Sequence, residues 1–117
     1  MSTARRALGA QGEDAAARWY QARGYRVLAR NWRCREGELD LVLARGGEVV
    51  FCEVKTRSSL AFGTPAEAVT WSKQRRLRTL AARWLREGAP VSFGGAAVRF
   101  DVAAVMGDRV EVLEAAF

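Results

Sequence analysis

At 117 residues, 50% apolar and 27% charged, the chain has the make-up of a single globular domain spanning 1–117 and is too apolar to be disordered. No apolar run approaches the roughly 18 residues of a membrane span, and residues 1–17 lack a signal-peptide core, so a cytoplasmic protein without a membrane partner is expected. The absence of histidine removes Ser-His-Asp and Cys-His nucleophiles, His-ligated zinc and imidazole catalysis; the net charge of +6, carried by 17 Arg and only 2 Lys, suits phosphate in a nucleic acid but is equally compatible with solubility alone.

In chain order, Ala16, Trp19, Tyr20 and Ala22 fall at helical spacing within Gly9 to Arg23, with Gly24 as the stop. On this helix Glu13 shares a stripe with Ala16, Ala17 and Tyr20 and can face a sheet, whereas Asp14 is placed to pair with Arg18. Tyr25 to Trp32 reads as a strand, followed by a polar turn over Arg33 to Gly37. Strands near 38–44 and 48–55 then flank a Gly46-Gly47 turn, and Thr56 to Gly63 reads as loop. Thr64, Pro65 and Glu67 form a potential capping box, with the long helix starting there or near Thr70 or Ser72. That helix buries Leu77, Leu80, Ala81, Trp84 and Leu85, carries Arg75, Arg76, Arg78, Arg83 and Arg86 outside, and ends at Gly88. A loop through Gly94-Gly95, a strand near 97–105, a turn at Gly107-Asp108 and a strand near 109–113 complete the order α-β-β-β-α-β-β, an α/β domain. Cys34 and Cys52 have neither metal nor redox spacing and are expected as free thiols.

The stretch 37–57, GELDLVLARGGEVVFCEVKTR, concentrates the chemistry. Counting in twos sets Leu39, Leu41 and Leu43 opposite Glu38, Asp40 and Val42, and Val50, Cys52 and Val54 opposite Val49, Phe51, Glu53 and Lys55. Burying both apolar stripes together demands paired numbers with an odd sum, which gathers Asp40, Glu53 and Lys55 on one face. A sum of 93 sets Asp40 directly opposite Glu53; a sum of 91 makes them diagonal neighbours. Two carboxylates about 5 Å apart repel by roughly 3 kcal/mol at an effective dielectric near 20. Mg²⁺ or Mn²⁺ would relieve that repulsion and could hold a phosphate oxygen and a hydrolytic water, with Lys55 alongside. The bland alternative is a set of solvated charges on an exposed hairpin.

At these residues the chain resembles the YraN family of bacterial proteins, whose restriction-endonuclease-like fold is similar to that of Holliday-junction resolvases. The resemblance rests on Gly12-Glu13 with Ala16, Gly24-Tyr25, Asn31-Trp32-Arg33, GELDLV at 37–42, FCEVKTR at 51–57, Gly63, Pro65, Ala68-Val69, Lys73 and RFDV at 99–102. It implies a three-layer fold, with a central mixed sheet of about five strands and helices on its faces. It further implies the PD-(D/E)xK nuclease signature, with Asp40 and Glu53 as metal ligands and Lys55 as the catalytic lysine, although Leu39 replaces the proline that names the motif. Resolvase-like members carry a glutamate on the first helix, which matches Glu13; the other reading of Glu13 is a first-turn complement to the helix dipole. Glu38 lies on the Asp40 face and reads in the first instance as a solvated strand-edge charge.

Arg57, Lys73, Arg75, Arg76 and Arg78 are the candidate contacts to a nucleic-acid backbone, each with solvent exposure as its alternative. Trp19, Trp71 and Trp84 read as core or interface anchors and Trp32 as the candidate for base stacking. The leading expectation is a Mg²⁺- or Mn²⁺-dependent endonuclease acting on DNA, by analogy branched or otherwise structured DNA, and a homodimer because resolvases cut two symmetric strands. The alternatives are a nucleic-acid-binding module that keeps the scaffold without turnover, and an interaction domain built on the basic amphipathic helix.

Overall fold

A computed structural model of the chain describes residues 3–57, 69–89 and 95–117. Helix α1, Thr3–Gln21, begins well before the expected Gly9, since Ala, Arg and Leu in its first turns are strong helix formers. It stops where Gly24 adopts φ +86° and its N–H donates to the Gln21 carbonyl at 3.1 Å. The five strands are β1 Arg26–Cys34, β2 Gly37–Arg45, β3 Glu48–Thr56, β4 Ala97–Met106 and β5 Arg109–Leu113, each within two residues of its expected bounds. They form one mixed sheet in the order β1-β2-β3-β4-β5, antiparallel except for the parallel β3–β4 pair.

A parallel pair needs a crossover, and helix α2, Trp71–Arg83, lies in that connection. Thr70 caps it by accepting the Lys73 backbone N–H at 3.3 Å. Of the two starts expected for this helix, the one near Thr70 is observed; the Thr64-Pro65-Glu67 box lies outside the described residues. The helix passes into a π-helical turn, Trp84–Gly88, closed by the Ala89 N–H donating to the Trp84 carbonyl at 2.8 Å. Glycine is required at 88, because a Cβ there would fall 2.7 Å from Trp84 and 2.9 Å from Trp32.

The two helices cover opposite faces. Ala15, Ala16, Ala17 and Tyr20 of α1 pack on Leu41, Leu43, Val50, Cys52, Ala103 and Val105. Leu77, Leu80, Ala81 and Trp84 pack on Val42, Val49, Phe51, Phe100 and Val102. This is the expected three-layer α/β architecture, and strand alternation supplies both faces. Gly12 permits the close approach of α1: an added Cβ would stand 2.0 Å from Thr56 Oγ1. No described helix is long and apolar enough to cross a membrane, and Cys34 and Cys52 are free.

Candidate metal centre

Hairpin pairing decides where the acidic residues meet. Every β2–β3 pair, from Arg45↔Glu48 to Leu41↔Cys52, sums to 93, the odd register that burial of both apolar stripes demands. Pairing stops at Leu41↔Cys52, just before Asp40 and Glu53. The next N–H that the ladder would use, that of Val54, donates instead to Asp40 Oδ2 at 2.9 Å. A side chain thus replaces a backbone carbonyl as acceptor at the point where the strands part.

Period-two counting fails at the same level. Leu41 and Leu43 share a face as expected, the one under α1, but Leu39 packs with the α2 layer and Gly37 sits against Leu80. The expectation that Leu39 shares a face with Leu41 and Leu43 is therefore corrected. With that end of β2 turned over, Glu38 and Asp40 reach toward α1, and oxygens of Glu13, Glu38 and Asp40 lie within 4.8 Å of one another. Glu38 keeps an ion pair with Arg33 at 2.9 Å but belongs to this acidic group, contrary to its reading as a strand-edge charge alone. Asp14 pairs with Arg30 of β1 and not with Arg18, which ties α1 to the strand beside the site.

Asp40 carries the largest perturbation of the group. Burial first and the Glu53 charge second push its carboxyl up to about 7; the Val54 N–H opposes this, and Glu13 and Glu38 add to it. Glu13 is also raised, by burial and then by Glu38, against the Asn31 side chain, which favours its charged form.

Glu53 occupies a different setting. It is 9% exposed, lies outside the acidic trio, and its Oε1 is 3.0 Å from Lys73 Nζ and 3.5 Å from Lys55 Nζ. Both lysines of the chain thus converge on one carboxylate oxygen, one from β3 and one from α2. Burial and the neighbouring Lys73 lower the Lys55 pKa, while contacts with Lys55 and Glu53 outweigh burial and hold Lys73 above its ordinary value. Asp40 and Glu53 therefore act on each other electrostatically from two subsites, an acidic one on the α1 side and a lysine-bound one on the α2 side, which corrects the expectation that Asp40 shares one face with Glu53 and Lys55.

The remaining candidates divide. Arg75 and Arg76 are exposed on α2 and Arg57 is half-buried just past β3. Arg78 lies over the rings of Phe100 and Phe117, at 4.8 and 5.5 Å. Trp32 is half-buried against the α2 layer, whereas Trp71 is 73% exposed at the head of α2 and so is not a core anchor. Asn31 has no distinguishing spacing in the sequence; its one local signal is that asparagine tolerates left-handed backbone, which it adopts here with φ 51°.

The family model described as uncharacterised protein family UPF0102 matches residues 12–105, which include every acidic and lysine side chain of both subsites. Among relatives, a UPF0102 protein of Rhodococcus opacus is 58% identical over 100 residues, covering 86% of this chain and 82% of the relative. One from Frankia alni is 54% identical over 121 residues, covering 97% of each. One from Acidothermus cellulolyticus is 47% identical over 128 residues, covering 99% and 97%.

Proposed function

The chain belongs to family UPF0102, the YraN family, and on that premise we propose that it is a Mg²⁺- or Mn²⁺-dependent nuclease that hydrolyses phosphodiester bonds in DNA, with branched or otherwise structured DNA as its substrate. The observation that carries this reading is Asp40, a half-buried carboxylate surrounded by Glu53, Glu13 and Glu38 that makes no ion pair with any described residue. A carboxylate drawn partly out of water among like charges is costly, and a divalent cation is the partner that offsets it. The donors are all carboxylate oxygens, the chemistry that suits Mg²⁺ or Mn²⁺.

Bound there, the ion supplies Lewis-acid polarisation of a phosphoryl oxygen and a more acidic water. Glu13, Glu38 and Asp40 hold it, and Glu53 adds its carboxylate from the second subsite. Lys55 stabilises the negative charge that grows on the phosphate oxygens. Lys73 exchanges Glu53 for a substrate phosphate, and Arg57, Arg75, Arg76 and Arg78 draw in the backbone. Exposed Trp71, on the same helix as three of these arginines, offers a base a stacking surface.

Incubating the protein with labelled single-stranded, duplex and four-way-junction DNA in Mg²⁺, Mn²⁺ or EDTA tests the reading. Metal-dependent cleavage that is lost in Asp40→Ala is expected. Identical products from wild type and Asp40→Ala would assign the cleavage to a contaminant, and binding without turnover would assign the chain to the non-catalytic class.

A further inference from the structure

The reversal of faces in β2 has a counterpart in β1. Pairing between these strands runs Arg30↔Leu41 and then Trp32↔Leu39, and at the skipped position Asn31 stands across from Asp40. Asn31 is there in the left-handed region, with φ 51°, a conformation that costs most residues about 1–2 kcal/mol and that asparagine tolerates best after glycine. Ala29 and Trp32 are three residues apart, yet both pack on the α2 layer, where unbroken alternation would separate them. Arg30 pairs with Asp14 of α1, and the Asn31 side chain next to it favours the charged form of Glu13 on the same helix. An unbroken extended strand would send them to opposite faces. In β2 the change falls between Leu39 and Leu41, at the same level of the sheet.

We propose that Asn31 is the positioning residue of the metal centre: its left-handed backbone turns the far end of the β1–β2 pair so that Glu38 and Asp40 meet Glu13, and its amide fixes the Glu13 carboxylate in that trio. This rests on the metal-binding reading of the pocket. The two halves of the role are separable, because glycine keeps the backbone and removes the amide, whereas alanine also opposes the backbone.

The test is titration calorimetry with Mn²⁺ alone, together with melting temperature with and without Mn²⁺, for wild type, Asp40→Ala, Asn31→Gly and Asn31→Ala. Asn31→Gly is expected to melt close to wild type without metal yet bind Mn²⁺ about tenfold or more weakly, the usual effect of losing a group that orients a ligand. Asn31→Ala is expected to lose both metal affinity and metal-free melting temperature. Wild-type Mn²⁺ affinity in Asn31→Gly would overturn the role of the amide, and metal-free melting of Asn31→Ala at or above wild type would overturn the role of the backbone. In either case an Asp40→Ala defect would leave the metal centre standing. If wild type and Asp40→Ala respond alike to Mn²⁺, the metal reading fails and this inference falls with it.

Discussion

Asp40, half-buried, and Asp101, fully buried, are aspartates of one sheet, and they are held in opposite ways. Asp101, fully enclosed on β4, accepts four hydrogen bonds: from Tyr20 Oη at 2.6 Å, from Arg99 Nε and Nη2 at 2.8 and 2.9 Å, and from the Ala115 N–H at 3.0 Å. Arg99 also reaches Glu48 and Tyr25 and lies 3.7 Å from Glu114, so one cation joins β3, β4, the segment ahead of β1 and the residues after β5. Asp40 has a single backbone donor and otherwise faces carboxylates. The first arrangement is complete within the fold and needs no ligand. The second leaves a charge for something else to balance, and this separates a structural carboxylate from a functional one.

Breaking the complete arrangement has the largest effect. Asp101→Ala strands Arg99 and the Tyr20 hydroxyl in the interior, and a loss of about 3–5 kcal/mol is expected in urea unfolding. Stabilisation by Mn²⁺ should survive in whatever fraction folds. A loss below about 1 kcal/mol would remove the contrast on which the comparison stands.

Asp40→Asn acts in the other direction. With its carboxyl pushed up to about 7 from the ordinary 3.8, native Asp40 keeps a proton that the unfolded chain has already released between those pH values. Stability therefore falls as pH rises through that window, and the penalty is complete above about 7. Removing the charge should stabilise the metal-free protein by roughly 2–3 kcal/mol at pH 8, with the gain shrinking toward pH 5. The same substitution should abolish the Mn²⁺-dependent rise in melting temperature. An Asp40→Asn protein less stable than wild type at pH 8 without metal would show that the carboxylate is a structural anchor like Asp101.

The contrast also marks what could be read from the sequence. The register sum and the strand bounds follow from alternation over extended backbone, which holds from Leu41 to Cys52, but the expected gathering of Asp40, Glu53 and Lys55 on one face does not, since Asp40 lies on the α1 side and Glu53 and Lys55 on the α2 side. Alternation loses precision where Asn31 enters the left-handed region, because a two-residue period assumes a conformation that one residue abandons. Leu39 departs from the face of Leu41 and Leu43 for that reason. Asp101 gave no local signal, since its partner Tyr20 lies 81 residues away. Both lysines were visible as exceptions in an arginine-rich chain, but only the placement of α2 brings Lys73 to Glu53.

Gly12→Ala probes how the acidic subsite depends on the approach of α1. The new methyl would meet Thr56 Oγ1 at 2.0 Å, so either the helix or the end of β3 must move. Overpacking of this kind is expected to cost about 1–2 kcal/mol in urea unfolding and to weaken Mn²⁺ binding by displacing Glu13. Unchanged Mn²⁺ affinity in a destabilised Gly12→Ala protein would place Glu13 outside the ligand set and leave the other carboxylates to bind the ion.

The smallest effect on stability falls on the cations, where the same division recurs. Arg99 is claimed by Asp101 and Glu48, whereas the Arg75 side chain is exposed and makes no ion pair with a described residue. An arginine in that position contributes little to folding, so Arg75→Ala should change stability by less than about 0.5 kcal/mol. If it contacts DNA phosphate, the cost appears elsewhere: binding measured across a salt series should weaken for all sequences alike, with the log–log slope reduced by about 1. An unchanged slope would remove Arg75 from the nucleic-acid face and shift the phosphate contacts toward Arg57 and toward Lys73 beside Glu53.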